Sequence, residues 1–221
     1  MDYAKHLIQR ITSAPDNERV GVLANELLRE FQRGYPLDDL REMLQVKDEH
    51  LLATAVWITS ELGVGCRPLL PNVVPLLTHS LKRIRFFALD CLLWTPPQNG
   101  SDLARGLSLL NDPEDGITWK VLDLLFRISI KQLKGVLLCS ETGLLEPSHR
   151  DGVAFLLSGD SMDFEKIESH LKSSVAAFRK FGVIAAARER RVFPELLIFA
   201  STIDDADVRG FAKHISLAAA P

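Results

Sequence analysis

The chain has 221 residues and a mass of 24.7 kDa, with 26 Lys and Arg against 29 Asp and Glu and a formal net charge of −3. Apolar residues make up 47% of it, aromatics 7%, and there are three cysteines. The apolar fraction excludes a disordered chain, the low cysteine density excludes a disulfide scaffold, and a pI near 6.1 argues against a general nucleic-acid binder, which carries a basic excess.

The first ten residues, MDYAKHLIQR, are polar and lack the apolar core of a secretory leader. The longest apolar stretches, Leu51–Leu62 and Val73–Leu77, fall short of the roughly 20 apolar residues a membrane-spanning helix needs. Cys66, Cys91 and Cys139 are widely spaced and lack the close pairing of a zinc site. They read as reduced thiols packed as small hydrophobes, in a cytoplasmic protein without membrane contact.

In chain order, apolar residues recur at helical spacing through Val20–Phe31, Glu49–Gly63, Leu81–Trp94, Ile117–Ile130 and Val175–Ala187. Alternating, strand-like segments are scarce. Breakers stand between the stripes: Gly34-Tyr35-Pro36, Gly63 and Gly65 before Pro68, Pro96-Pro97, Asp112-Pro113 and Glu146-Pro147. No composition shift marks a linker, so residues 1–221 read as a single all-α domain.

Leu51, Ile84 and Ile117 stand 33 residues apart, each opening an apolar stripe just after a polar or turn segment. Val175 and Val208 are again 33 apart, and Val20 lies 31 before Leu51. The region 131–170 does not keep this step and reads as an irregular unit. Gly135, Gly143, Gly152 and Gly159 concentrate there, as at a bend.

Ile84-Arg85-Phe86-Phe87-Ala88 and Val208-Arg209-Gly210-Phe211-Ala212 agree at four of five positions, counting Ile with Val. With the proline-containing Leu70–Leu77 before the first of them, this resembles the HEAT repeat. The resemblance implies an α-solenoid of about six to seven antiparallel helix pairs of about 33 residues each, with the second helices lining a curved binding surface. It implies no chemistry. Arg85 and Arg209 would occupy the repeat's Arg position and pair with a neighbouring repeat.

The 33-residue step aligns columns across the second helices: Ala53, Phe86, Trp119; then Trp57, Asp90, Asp123; then Glu61, Trp94, Arg127. The 31-residue step adds Val22, Glu26 and Glu30. All three tryptophans fall in this grid, among carboxylates. Such a face suits a protein partner with exposed basic residues, because tryptophan anchors interfaces and acidic surroundings steer basic partners. The candidate partner-binding residues are therefore Glu26, Glu30, Trp57, Glu61, Phe86, Asp90, Trp94, Trp119, Asp123 and Arg127. The basic runs Lys82-Arg83-Ile84-Arg85 and Arg188–Arg191 read as solvated faces or as caps on helix ends.

No nucleophile elbow, phosphate loop or metal-ligand spacing occurs around the six histidines, so no catalytic residue, metal or cofactor is assigned. Trp119-Lys120-Val121-Leu122-Asp123 has the Trp–Asp spacing of small HEAT-like alkylpurine DNA glycosylases. That resemblance implies an aromatic face for a cationic base and a carboxylate for the developing sugar cation. The chain lacks that family's broad basic surface, which argues against nucleic acid as its partner. In size, charge and repeat style it resembles small acidic HEAT-like immunity proteins, which implies a non-catalytic bacterial protein that caps a basic, nuclease-type toxin. A scaffold or adaptor would use the same face.

Overall fold

A computed structural model describes residues 3–13, 19–114, 116–139, 143–159 and 162–218. Among the described residues every regular element is helical and no strand occurs. The chain packs as two compact units, Met1–Trp94 and Thr95–Pro221.

The first unit holds α1 (Tyr3–Ser13), α2 (Val20–Gln32), α3 (Asp38–Met43), α4 (Glu49–Ser60), α5 (Leu70–Val73) and α6 (Lys82–Cys91). Helix α1 packs on α2, α2 and α3 on α4, and α4 on α6. Helix α4 starts at the end of a polar segment: Asp48 Oδ1 accepts the Leu51 N–H at 2.8 Å and satisfies one of the helix's orphan donors. Between α4 and α6 the first helix of the proline-rich unit is broken into pieces. Pro71 opens the one-turn α5, and Pro75 opens the 3₁₀ turn Val74–Thr78. Each proline lacks the N–H that would continue the ladder, so the chain restarts at each one. The core of this unit is fully buried Leu27, Ile58, Leu69, Leu77, Ile84 and Leu89.

The second unit holds α7 (Gly100–Leu107), α8 (Ile117–Arg127), α9 (Ile130–Cys139), α10 (Pro147–Leu156), α11 (Phe164–Leu171), α12 (Ala176–Arg188), α13 (Pro194–Ala200) and α14 (Ala206–Ala218). Helix α12 is its centre and touches α8, α10, α11, α13 and α14. That explains why its sequence is mostly apolar or small apart from Arg179, Lys180 and the terminal Arg188, with Phe181, Val183, Ile184 and Ala185 through Ala187 inaccessible. Within the irregular 131–170 stretch, residues 140–142 and 160–161 lie outside the described residues. Its helical glycines serve close packing. A Cβ on Gly135 would lie 2.0 Å from the Pro97 carbonyl oxygen, and one on Gly152 would lie 2.0 Å from the Phe181 ring.

Leu51, Ile84, Ile117 and Val208 are buried, as their shared register requires. Val175 departs from it: it is 42% exposed and only precedes α12. The true register on α12 is carried by Arg179. Arg85 Nη1 donates to the carbonyls of His79 and Ser80, and Arg179 Nη1 to those of Ser173 and Ser174. Arg209 Nη1 donates to the Ile203 carbonyl. In each case the acceptors lie six or five residues back, in the turn before the helix. Arg209 also stands 4.0 Å from Asp204, and Arg179 pairs with Asp205 at 2.9 Å. The expected Arg position thus ties a helix to its own preceding turn, and Arg179 also links it to the next helix pair. On α8 the position holds Thr118, whose hydroxyl faces the Leu110 carbonyl at 3.3 Å. Lys180 Nζ of α12 reaches the same carbonyl at 2.7 Å.

Candidate functional site

Helices α2, α4 and α6 lie side by side in the first unit, and a groove of about 280 Å³ opens at their N-terminal halves. Ala24 and Asn25 of α2 form one wall, and Arg83 and Phe87 of α6 the other. Ala53, Thr54 and Trp57 of α4 lie between them. Ala53 is 6% exposed; its small side chain lets the groove reach down to α4. The 33-residue step places His50 beside Arg83, with Nδ1 and Nη2 3.4 Å apart. Phe87 meets Phe86 edge-on at 5.7 Å between ring centres.

The sequence grid falls partly in each unit. In the first, Trp57 is half-buried in the groove, Phe86 is half-buried beside it, and Asp90 is half-buried one turn further along α6. Glu61 is exposed just past the end of α4. Trp94, 37% exposed, lies with its ring against Gly63, and its carbonyl accepts from Arg67 Nε at 2.9 Å. Glu26 accepts from the Tyr3 hydroxyl at 2.6 Å, a bond that raises the tyrosine's pKa. Glu30 accepts from Arg33 at 2.7 Å. In the second unit Trp119 packs edge-on against His214 and Phe211 of α14, with ring centres 5.2 and 6.2 Å away. Asp123 there accepts from Arg127 Nη1 at 3.3 Å.

The acidic character expected of the grid is therefore reduced. Glu30 and Asp123 are matched by cations on their own helices or caps, and Glu26 by a hydroxyl. Such exposed pairs contribute little stability, but they lower the field available to a partner. Glu61 is exposed, and it and half-buried Asp90 are the carboxylates of the first unit's aromatic row.

His50, Arg83 and Phe87 were not in the grid. The signal for them existed: the same 33-residue step, taken along the adjacent row, pairs His50 with Arg83 and Thr54 with Phe87. The run Lys82–Arg85 divides accordingly. Arg85 is buried in turn-tying bonds, while Lys82 and Arg83 are exposed. The run Arg188–Arg191 does cap helix ends. Arg188 Nη2 donates to the Leu125 and Ile128 carbonyls at 2.5 and 2.9 Å, closing α8, and Arg190 donates to Ala187 at the end of its own helix.

A buried polar cluster lies in the second unit. Lys180 is 6% exposed and stands 3.5 Å from Asp207. His149, 1% exposed, has Nε2 3.4 Å from Asn111 Nδ2. Burial lowers the His149 pKa; Glu146 opposes this and Lys180 adds to it. Lys180 bridges α12 to the turn before α8, while the buried His149 Nδ1 has no hydrogen-bond partner. Cys66 and Cys91 are buried free thiols, and Cys139 is half-buried.

Among the described residues no group of three His, Cys, Asp or Glu could hold a metal ion, and no helix is long and apolar enough to cross a membrane. No family model matches the chain, and no curated protein matches it by sequence. Among solved structures, an engineered protein determined by the Northeast Structural Genomics Consortium matches it at a TM-score of 0.52 and 15% identity, over 97% of this chain and 95% of that one. At that identity the likeness is one of fold alone.

Proposed function

We propose that the chain is a non-catalytic binding protein, a HEAT-like α-solenoid of about six to seven helix pairs that docks another protein on its aromatic face. One observation carries this reading: Trp57 and Phe87, both large and only half-buried, line the open groove between α2, α4 and α6. Tryptophan is enriched among the side chains that anchor protein interfaces. At about 280 Å³ the groove suits one or two side chains of a larger partner better than a drug-sized ligand.

The task that size, charge and repeat style suggest is that of a cytoplasmic bacterial immunity protein, bound to a basic toxin of nuclease type. Trp57, Phe86 and Trp94 then supply contact area, and Glu61 and Asp90 pair with the toxin's Lys and Arg. Asp123 adds a carboxylate in the second unit, where Trp119 packs against α14. A scaffold or adaptor would use the same residues for a peptide or helix. Two contacts weigh against the glycosylase alternative: the Trp119 ring is engaged by α14, and Asp123 is already paired with Arg127.

The test is capture of the partner from host extract on the immobilised chain, repeated with Trp57→Ala and with Asp90→Lys combined with Asp123→Lys. The expected result is a partner retained by the unmodified chain and lost by both variants, with helical circular dichroism preserved. Equal retention by all three chains overturns the reading. Release of alkylated base from a duplex, abolished by Asp123→Asn, overturns it in favour of repair.

A further inference from the structure

The first unit has two cysteines, and the fold makes them neighbours. Cys66 sits in the 3₁₀ segment Gly63–Leu69, and Cys91 ends α6. They are 25 residues apart in the chain, and both are fully buried free thiols. Cys66 Sγ stands 3.8 Å from the Cys91 carbonyl oxygen and Cys91 Sγ 3.5 Å from that of Phe87, and the two side chains hydrogen-bond to each other. The pair is unsymmetrical. The bond from Cys91 lowers the Cys66 pKa; burial opposes this, and neighbouring Arg67 adds to the lowering. The same bond, with burial, pushes the Cys91 thiol well up. Cys66 therefore becomes thiolate first, beside a thiol that keeps its proton. The segment that carries it is built to open: 3₁₀ hydrogen bonds are poorer than those of an α-helix, Pro68 has no donor, and Val64 is 54% exposed. Two sulfurs without a third ligand do not make a metal site, and among the described residues no third His, Cys, Asp or Glu completes one.

We propose that Cys66 and Cys91 form a thiol–disulfide modification site, at which a hydroperoxide joins the segment Gly63–Leu69 covalently to the end of α6. When the segment opens, the Cys66 thiolate attacks one peroxide oxygen. An S–O bond forms, the O–O bond breaks, and the leaving oxygen takes up a proton as alcohol or water. The Cys91 sulfur then attacks the Cys66 sulfur. The S–S bond forms, the S–O bond breaks, and the departing hydroxide leaves with the Cys91 proton as water. Two thiols and one hydroperoxide thus give one disulfide, one alcohol and one water, with two electrons passing from sulfur to peroxide. A dithiol reductant reverses the change by exchange. The bond also fixes the support of Trp94, because Arg67 Nε donates to the Trp94 carbonyl and the Trp94 ring lies against Gly63.

Peroxide oxidation of the full chain carrying Cys139→Ser tests this. The folded chain is treated with hydrogen peroxide, alkylated in denaturant, digested without reductant and mapped by mass. The expected product is lighter by two hydrogens and takes up no alkylating agent, its Cys66 and Cys91 peptides are joined, and dithiothreitol restores both thiols. It melts at a higher temperature than the thiol form, because the bond constrains the unfolded chain. In the same background, Cys91→Ala halts at an oxyacid on Cys66, whereas Cys66→Ala leaves Cys91 a thiol; the reverse pattern overturns the order of attack. Thermal melts show that these two variants are folded, and where one is not, the map of the unsubstituted pair decides. Two thiols still open to alkylation after peroxide, separate oxyacids at the two positions, or a bond that forms only in denaturant overturn the proposal. A disulfide form that melts below the thiol form overturns it too, since the native packing then does not accommodate the bond.

Discussion

Arg179 and Asp205 join two helix pairs of the second unit. Nε and Nη2 of the arginine both donate to Oδ2 of the carboxylate, at 3.1 and 2.9 Å. The other oxygen of Asp205 accepts the Val208 N–H at 3.2 Å, so one side chain also caps the start of α14. Arg179 meanwhile holds the carbonyls of the turn before α12. The pair lies mostly out of water, with side-chain exposures of 20% and 9%.

Removing Asp205 should therefore cost more than a surface ion pair. Asp205→Ala loses the cap and leaves Arg179 without its carboxylate, and should lower stability by about 2–4 kcal/mol. Asp205→Asn keeps an acceptor for Val208 and should cost roughly half as much. Urea denaturation followed by circular dichroism measures both. A shift for Asp205→Ala no larger than that of an exposed Asp→Ala control would refute the coupling.

Stability should fall as the solution is acidified through the range of an ordinary histidine. His149 is held below its usual pKa of 6.5 by burial, and Lys180 reinforces this against the opposing Glu146. A depressed pKa means that the unfolded chain takes up a proton first as pH drops below 6.5. That uptake favours unfolding, so this contribution is present above 6.5 and is lost as pH falls toward the folded value. His149→Gln should flatten the melting temperature between about pH 7 and pH 5. An unchanged slope in that variant would assign the acid sensitivity to other groups.

Gly152 faces Phe181 with no room for a methyl group. Gly152→Ala forces the ring off its position and should destabilise by about 1–3 kcal/mol. Phe181→Leu in the same chain should return part of the loss, because the smaller side chain vacates the clash. Additive losses in the double variant would show that the two positions do not meet.

Two tryptophans that look alike in the sequence should behave differently. Trp119→Ala removes the ring that packs on Phe211 and His214 and should cost about 2–4 kcal/mol. Trp57→Ala empties an open groove and should cost about half that, while losing the partner. Thermal melts of the two variants, set beside partner capture, separate a packing role from a binding role. The reverse order of stability losses would exchange the two assignments.

Much of the helical framework is legible before any coordinates. The stripes at Val20, Leu51, Leu81, Ile117 and Val175 each lead into a helix, because a 3.6-residue apolar period can be buried in few other ways. Leu70–Leu77, read as one proline-containing helix, is instead broken at Pro71 and Pro75, which lack the N–H that would continue the ladder. What remained hidden depends on distances between helices. The register of Arg179 slipped because Val175 satisfies the apolar spacing without being inside. Lys180 looks like a surface residue until α12 proves to be enclosed by five other helices.

The site divides in the same way. Local spacing put Trp57, Phe86 and Asp90 into one candidate row, since a 33-residue step leads from one helix to the next. It was not enough to choose between neighbouring rows. Residues one apart differ by only about 100° around a helix, so Phe86 and Phe87 both fit a presented face. The helices alongside settle which row lines the groove, and there they select His50, Arg83 and Phe87. Composition and period thus establish a helical chain. The i,i+3 and i,i+4 pairs of Glu30 with Arg33 and Asp123 with Arg127 lie within reach of the sequence. Packing decides which aromatic stays open and that Glu26 meets the Tyr3 hydroxyl, because those properties belong to pairs of helices rather than to one.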